Sequence, residues 1–261
     1  TAVKETEKKV KAPKLYDLTT LQREANRIYG MTAKQTLDTA QSLYEKKLIT
    51  YPRTDSQYLT EDMEQTARNV VRQIYEKYQL TGPFDQPEQP DVKKVMNNSK
   101  VTDHHAIIPT MELSSCQLDE LKSWEEKILF LIAVHTVMAM SKEHVYQETE
   151  IEVECQGEIF KAKGKTVLQD GWKLFENCFK NKDRMAIVNP DQEMKERMPK
   201  VTQGQTFYAV AAEKTEHFTS PPKPYSEDTL LAAMETAGNK EFDEDTEKKG
   251  LGTPATRAGI I

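Results

Sequence analysis

The hydrophobic period of this chain changes near Val145, and that change constrains the fold more than any other feature. Before it, apolar residues recur at helical spacing. After it, Thr149-Glu150-Ile151-Glu152-Val153-Glu154-Cys155 alternates strictly. A period of about 3.6 residues marks a helix with one buried stripe, and a period of two marks a half-buried strand. Helices before the switch and strands after it make this an α+β chain.

The helical part opens after fourteen Lys/Glu-rich residues that read as a solvated strap or frayed end. Thr19-Thr20-Leu21-Gln22 has the form of a capping box, and Gly30 is placed to stop the helix carrying Leu21, Ala25 and Ile28. Thr32-Ala33-Lys34-Gln35 opens a second helix with Leu37, Ala40, Leu43 and Tyr44 on one face, so the pair forms a helical hairpin. Leu48-Ile49-Thr50-Tyr51-Pro52-Arg53 is β-branched and aromatic and predicts a short extended stretch. Thr60 caps a long helix that buries Met63, Ala67, Val70, Val71, Ile74 and Tyr78. Residues 81–101 read as a loop, and 118–140 as a well-buried helix.

Beyond the switch, segments 158–162, 184–188 and 206–210 predict further strands, giving a β-rich unit over 146–215. Pro221-Pro222-Lys223-Pro224-Tyr225 is a rigid extended connector. Ser226 caps a helix ended by Gly238, residues 239–249 are an acidic, polar loop, and Gly250 to Arg257 leads into another helix start.

No run of roughly eighteen apolar residues is present, which argues against a membrane span. No apolar signal core begins the chain, and Cys116, Cys155 and Cys178 are too scattered for a disulfide framework or a metal knuckle. Both fit a reducing cytoplasm. The net charge of −6 argues against a general DNA coater, so any grip on nucleic acid must come from a local groove.

Three constellations carry chemistry. In an extended strand Tyr51 and Arg53 point the same way, across a proline that fixes the backbone. A phenol attacking a phosphodiester must lose a proton (ordinary pKa ~10) and needs positive charge beside the phosphate. A guanidinium supplies that charge and two donors. By itself, however, the tripeptide fits a surface tyrosine beside a salt-bridged arginine better. His104 and His105 could bond a phosphate oxygen or pass a proton. They make a poor metal pair without a third ligand nearby, and in isolation a loop of satisfied histidines is the better reading. Gly252-Thr253-Pro254-Ala255-Thr256-Arg257 offers a phosphate seat, although a plain capped helix start serves equally. Asp243-Glu244-Asp245 lies in a polar run with no strand to deliver it to a pocket, and is read as solvated loop rather than a Mg²⁺ site.

In order along the chain, these segments resemble the type IA DNA topoisomerases, most nearly the bacterial topoisomerase III branch. The matching stretches are Leu43-Tyr44-Glu45 through Ile49-Thr50-Tyr51-Pro52-Arg53-Thr54-Asp55-Ser56, then His104-His105-Ala106-Ile107-Ile108-Pro109-Thr110. Asp170-Gly171-Trp172, Pro221 to Glu227 and Gly250 to Arg257 follow. The resemblance implies that Tyr51 cleaves one strand of single-stranded DNA through a 5′-phosphotyrosine link, passes another strand and religates without ATP. It implies catalytic roles for Tyr51, Arg53 and His104, and DNA contacts for Thr54, His105, Thr256 and Arg257. It further implies a multidomain toroid fragment. Residues 1–20 would be a strap and first piece of a β-rich arch, 21–145 the helical tyrosine domain, 146–215 the arch, and 216–261 part of a helical DNA-binding base.

The family's Toprim domain, which supplies acidic ligands for Mg²⁺, has no counterpart in this sequence. No metal ligand or cofactor is therefore assigned here, Mg²⁺ is expected in the full-length enzyme, and the fragment alone is expected to be inactive. The expected partners are single-stranded DNA and that Toprim domain, in a cytoplasmic monomer. Rolling-circle nickases need His-hydrophobic-His, and tyrosine recombinases a His-x-x-Arg set before a C-terminal tyrosine; neither pattern is present. A helical binding module with an incidental Tyr-x-Arg is the non-enzymatic alternative.

Overall fold

The computed structural model describes residues 1–80, 90–180, 200–208, 211, 213–238 and 250–261. Chain order is β1 (Ala2–Val10), α1 (Leu18–Tyr29), α2 (Ala33–Glu45), α3 (Glu64–Tyr78), α4 (Ser123–Ala139), β2 (His144–Cys155), β3 (Glu158–Gln169), α5 (Lys173–Lys180), α6 (Glu227–Thr236) and α7 (Pro254–Ile260). Short 3-10 turns link α3 to α4.

Helix α4 is the axis of the helical block. Its apolar residues run all round rather than along a stripe, and Ile128, Leu129, Leu131, Ile132 and Val134 are fully buried. Helices α1 to α3 and the loops between them wrap it, and Trp172, Leu174 and Phe175 around the start of α5 close the same core. At its first turn Glu125 is buried, yet it accepts hydrogen bonds from Ser42 Oγ (2.7 Å), Lys46 Nζ (2.6 Å) and the Lys122 N–H (3.0 Å). Burial alone would raise this carboxyl; the Lys46 and Ser42 bonds outweigh it and hold it at about 2. The pair pins α2 to α4.

Two expected caps move. Asp17, not Thr19, caps α1: its side chain accepts the Thr20 N–H and the Thr20 hydroxyl answers the Asp17 N–H. Thr19 and Gln22 are buried inside the helix instead, and the Gln22 amide donates to the Ala33 carbonyl across the hairpin. Thr60 makes no side-chain cap; a 3-10 turn, Glu61–Met63, leads into α3. The Thr32–Gln35 box forms as read, and Gly30 ends α1 at φ +68°.

The first residues are not frayed. β1 pairs antiparallel with β2, Val3 opposite Ile151 and Lys9 opposite Val145, and β2 pairs with β3 in a three-stranded sheet ordered β1-β2-β3. Polar residues on both faces of β1 hide the alternation that identifies a strand. The β2–β3 turn uses Gln156 and Gly157, both at positive φ, as a tight hairpin requires. Gly171 is needed for a different reason: a Cβ there would lie 2.2 Å from the Glu143 carbonyl oxygen. Beside it, Trp172 Nε1 donates to the Val10 carbonyl (3.1 Å) and roots the sheet in the helical core.

The sequence reading placed no helix at α5. Of the further strands expected over 146–215, 158–162 lies in β3, whereas 184–188 falls outside the described residues. Residues 206–208 have no regular structure, and 209–210 again lie outside. Helices α6 and α7 dock on the α1–α2 hairpin through Leu18, Ala33, Leu37, Leu231 and Ala258, a second and smaller apolar cluster.

Candidate active site

The tyrosine segment is less extended than its composition predicts. Only Ile49 forms a bridge, with Pro109, and the chain bends at Pro52 and Arg53. The same-side argument for Tyr51 and Arg53 therefore does not carry across the bend, since it requires regular strand geometry. What positions Tyr51 is a set of backbone ties to the histidine segment. The Thr50 N–H donates to the Ile108 carbonyl and the Thr110 N–H to the Leu48 carbonyl, both at 3.0 Å. Ile107 N–H reaches the Tyr16 carbonyl (2.8 Å), and Ala106 N–H the Tyr58 carbonyl (2.9 Å). Residues 104–110 are thus stitched between the start of α1 and the tyrosine loop, over fully buried Ile107 and Ile108.

Two threonines on either side of Tyr51 complete the join. Thr50 Oγ1 donates to the Ala106 carbonyl and accepts the Ile108 N–H, each at 3.0 Å. Thr54 Oγ1 donates to the His104 carbonyl (3.0 Å) and accepts the Ser56 N–H (3.1 Å). The Thr54 carbonyl in turn accepts the Leu18 N–H at the head of α1 (3.0 Å). Thr54 is 3% exposed, so its hydroxyl is spent on partners inside the protein. A buried donor bonded in this way fixes geometry, because leaving it unpaired costs about 1–3 kcal/mol.

Against this frame the Tyr51 ring is half-buried, 4.3 Å from the His104 ring between centroids and tilted by 46°. Tyr44, which periodicity had placed on the buried face of α2, is partly exposed and meets Tyr51 edge-on at 5.4 Å. His104 and Arg53 are exposed, and among the described residues the Arg53 guanidinium makes no ion pair. His105 is half-buried and its Nδ1–H donates to the Ala106 carbonyl (2.8 Å), leaving Nε2 as its free nitrogen. A phenol, an imidazole and an uncommitted guanidinium thus share one rigid loop pair, which suits nucleophilic attack on a phosphodiester.

The structure does not bring Arg257 to a surface. It is 3% exposed, and its guanidinium donates to the Leu251 carbonyl (2.7 Å) and the Thr19 hydroxyl (3.3 Å). It locks α7 onto α1, one residue from the Leu18–Thr54 tie. Thr256 is exposed, with its hydroxyl shared with the capping Thr253 at 2.8 Å. Thr50, Tyr44 and Ser56 were missed by sequence reasoning. Thr50 carries the nearest signal, a β-branched hydroxyl next to the nucleophile candidate, but its partners are fifty-six and fifty-eight residues away.

Beneath the site, Tyr16 stacks on His135 at 3.6 Å, and the His135 Nε2–H donates to the Lys14 carbonyl. Burial holds this imidazole down at about 4 and pushes the Asp17 carboxyl up to about 6 despite its bonds to Thr20. Among the described residues no group of three or more His, Cys, Asp or Glu is placed to hold a metal ion. Asp243-Glu244-Asp245 lies outside the described residues. No described helix is long and apolar enough to cross a membrane.

Comparison with known proteins bears on the chain as a whole. A family described as DNA topoisomerase matches residues 1–261. DNA topoisomerase 3 of Bacillus licheniformis is 39% identical over 277 residues, covering 99% of this chain and 36% of the relative. The Bacillus subtilis protein of the same name is 38% identical over 269 residues, with 99% and 36% coverage. The chain thus spans about a third of the length of these relatives. Full-length topoisomerase I from Thermotoga maritima shares the fold, with a TM-score of 0.62 at 23% identity over 99% of this chain and 38% of that one. With its whole length matched by the family and its tyrosine loop stitched to the histidine segment, this chain belongs to the DNA topoisomerases, in the topoisomerase III branch of type IA.

Proposed function

We propose that Tyr51 is the nucleophile of a single-strand DNA cleavage and rejoining reaction. Its phenolic oxygen attacks a backbone phosphorus, the new O–P bond forms as the bond to the 3′ oxygen breaks, and the phenol proton leaves as the 3′ oxygen gains one. A 5′-phosphotyrosine diester and a free 3′ hydroxyl result. The diester retains the energy of the broken bond, so the 3′ hydroxyl can reverse the step without ATP once another strand has passed. The observation that carries this reading is the Tyr51–His104 contact on a loop pair whose Arg53 is uncommitted.

Arg53 would hold the scissile phosphate, and His104 would hydrogen-bond beside it. Thr256 and the free nitrogen of His105 would contact the strand elsewhere. Thr54 and Arg257 take positioning roles in place of direct DNA contact, because both are buried. Residues 21–145 would be the movable tyrosine domain, the sheet unit its arch, and α6–α7 part of a DNA-binding base. Mg²⁺ would be held by a Toprim domain outside this sequence, so the segment alone would not turn over. The whole enzyme would act as a cytoplasmic monomer.

The test is covalent capture of a labelled single-stranded oligonucleotide by the intact enzyme containing this segment. Tyr51→Phe should abolish the adduct entirely. An adduct that persists in that variant rules Tyr51 out.

A further inference from the structure

Among the described residues Lys127, Lys165 and Lys173 each lie over an aromatic ring, and several exposed lysines pair with a carboxylate: Lys9–Glu7, Lys34–Asp38, Lys46–Glu125, Lys94–Asp91, Lys161–Glu152 and Lys163–Glu150. Lys14 and Lys100 do not. Their ammoniums lie 5.5 and 5.2 Å from the centroid of a single ring, that of Tyr58. Among the described residues neither is paired with an acid. Two ammoniums on one ring, neither neutralised by a carboxylate, make a local positive patch in a protein of net charge −6, and such a patch attracts an anion.

Their backbone is rigid and continuous with the tyrosine loop. The Lys14 carbonyl accepts the His135 Nε2–H (2.8 Å), and the Lys100 carbonyl accepts Ser56 Oγ (2.8 Å). Ser56 Oγ also receives the Tyr58 N–H (3.2 Å), and its own N–H donates to Thr54 Oγ1, the hydroxyl that holds His104. Lys14, Lys100 and the uncommitted Arg53 therefore stand on one stitched platform with Tyr51. Two ammoniums beside the Tyr58 ring favour an anionic ligand. That ligand is the sugar-phosphate backbone rather than base edges.

We propose that Lys14, Tyr58 and Lys100 form a second phosphate site, which holds the strand cleaved at Tyr51 through phosphates away from the scissile one and without regard to sequence. The proposal rests on the reading of Tyr51 as nucleophile. Its test is separate: binding of a fluorescent single-stranded oligonucleotide to the intact Tyr51→Phe enzyme, by anisotropy over a salt series. Adding Lys14→Ala and Lys100→Ala should weaken binding severalfold at low salt. It should also flatten the slope of log K against log salt by roughly 1.4, the value for two single-strand phosphate contacts. The Lys14→Arg/Lys100→Arg pair should bind like the parent, and Tyr58→Leu should fall between the two. With Tyr51 intact, the double alanine variant should still form full adduct at saturating oligonucleotide. An unchanged salt slope in the folded alanine variant overturns the second site even if plasmid relaxation falls, while loss of adduct at saturation would place these lysines in the chemical step instead. Failure of the nucleophile reading would show separately, as adduct formed by Tyr51→Phe.

Discussion

The helical block and the three-stranded sheet are held together by different forces. Around α4 nearly every side chain is buried, and the few polar ones, Glu125, His135 and Thr136, are each bonded. In the sheet, Ile151 is the buried apolar residue, whereas Ile159, Phe160, Val167 and Leu168 of β3 are exposed. Cross-strand charge replaces burial there, with Glu150 opposite Lys163 and Glu152 opposite Lys161. The contrast teaches where precision resides. A packed core with bonded polar groups holds Tyr51 and His104 in one geometry. A ribbon of solvated ion pairs can flex at little cost.

The largest expected effect tests that contrast by truncation. Leu131→Ala, at a fully buried position of α4, should destabilise by about 2–5 kcal/mol, read as a lower denaturant midpoint. Ile159→Ala, at a site 60% exposed on β3, should leave that midpoint almost unchanged. Equal losses would mean that the sheet is as tightly packed as the block.

A somewhat smaller effect appears with pH and also belongs to the block. His135 is held down from 6.5 to about 4, so its contribution to stability is present above pH 6.5 and lost as the pH falls through 4. Asp17 is raised from 3.8 to about 6, so its contribution is full below pH 3.8 and lost as the pH rises through 6. Each is on the order of 3 kcal/mol, and they oppose one another in that window. His135→Gln should therefore give a melting temperature that falls as the pH rises from 4 to 6, and Asp17→Asn one that rises. Parallel profiles in the two variants would refute the opposition. The smallest effect is in the sheet. Lys163→Gln should leave the melting temperature unchanged within error, because the pair it removes is solvated.

Local signals in the sequence were sound where a short-range rule decides the outcome. Gly30 at a left-handed helix end, the Thr32 box, the Ser226 cap and the Thr253-Pro254 start all form as read, because each bond spans three or four residues. The apolar run Ile128–Val134 of α4 was legible for a similar reason: no exposed helix carries that composition. The displaced cap at α1 marks the limit of such rules. Asp17 and Thr19 are both good caps, and tertiary packing chose between them by burying Thr19 against Arg257.

By itself, then, the sequence determined the order of helices and strands, the identity of the tyrosine and histidine segments, and the family that their succession resembles. It could not determine that β1 is a strand, because β1's partner lies about 140 residues away and its faces are both polar. Nor could it determine that Tyr51 meets His104, that Thr54 and Arg257 turn inward, or that Lys14 and Lys100 converge on Tyr58. Those depend on contacts between segments 40 to 240 residues apart. Only the closed core fixes such distances, because periodicity carries no information beyond the element in which it is read.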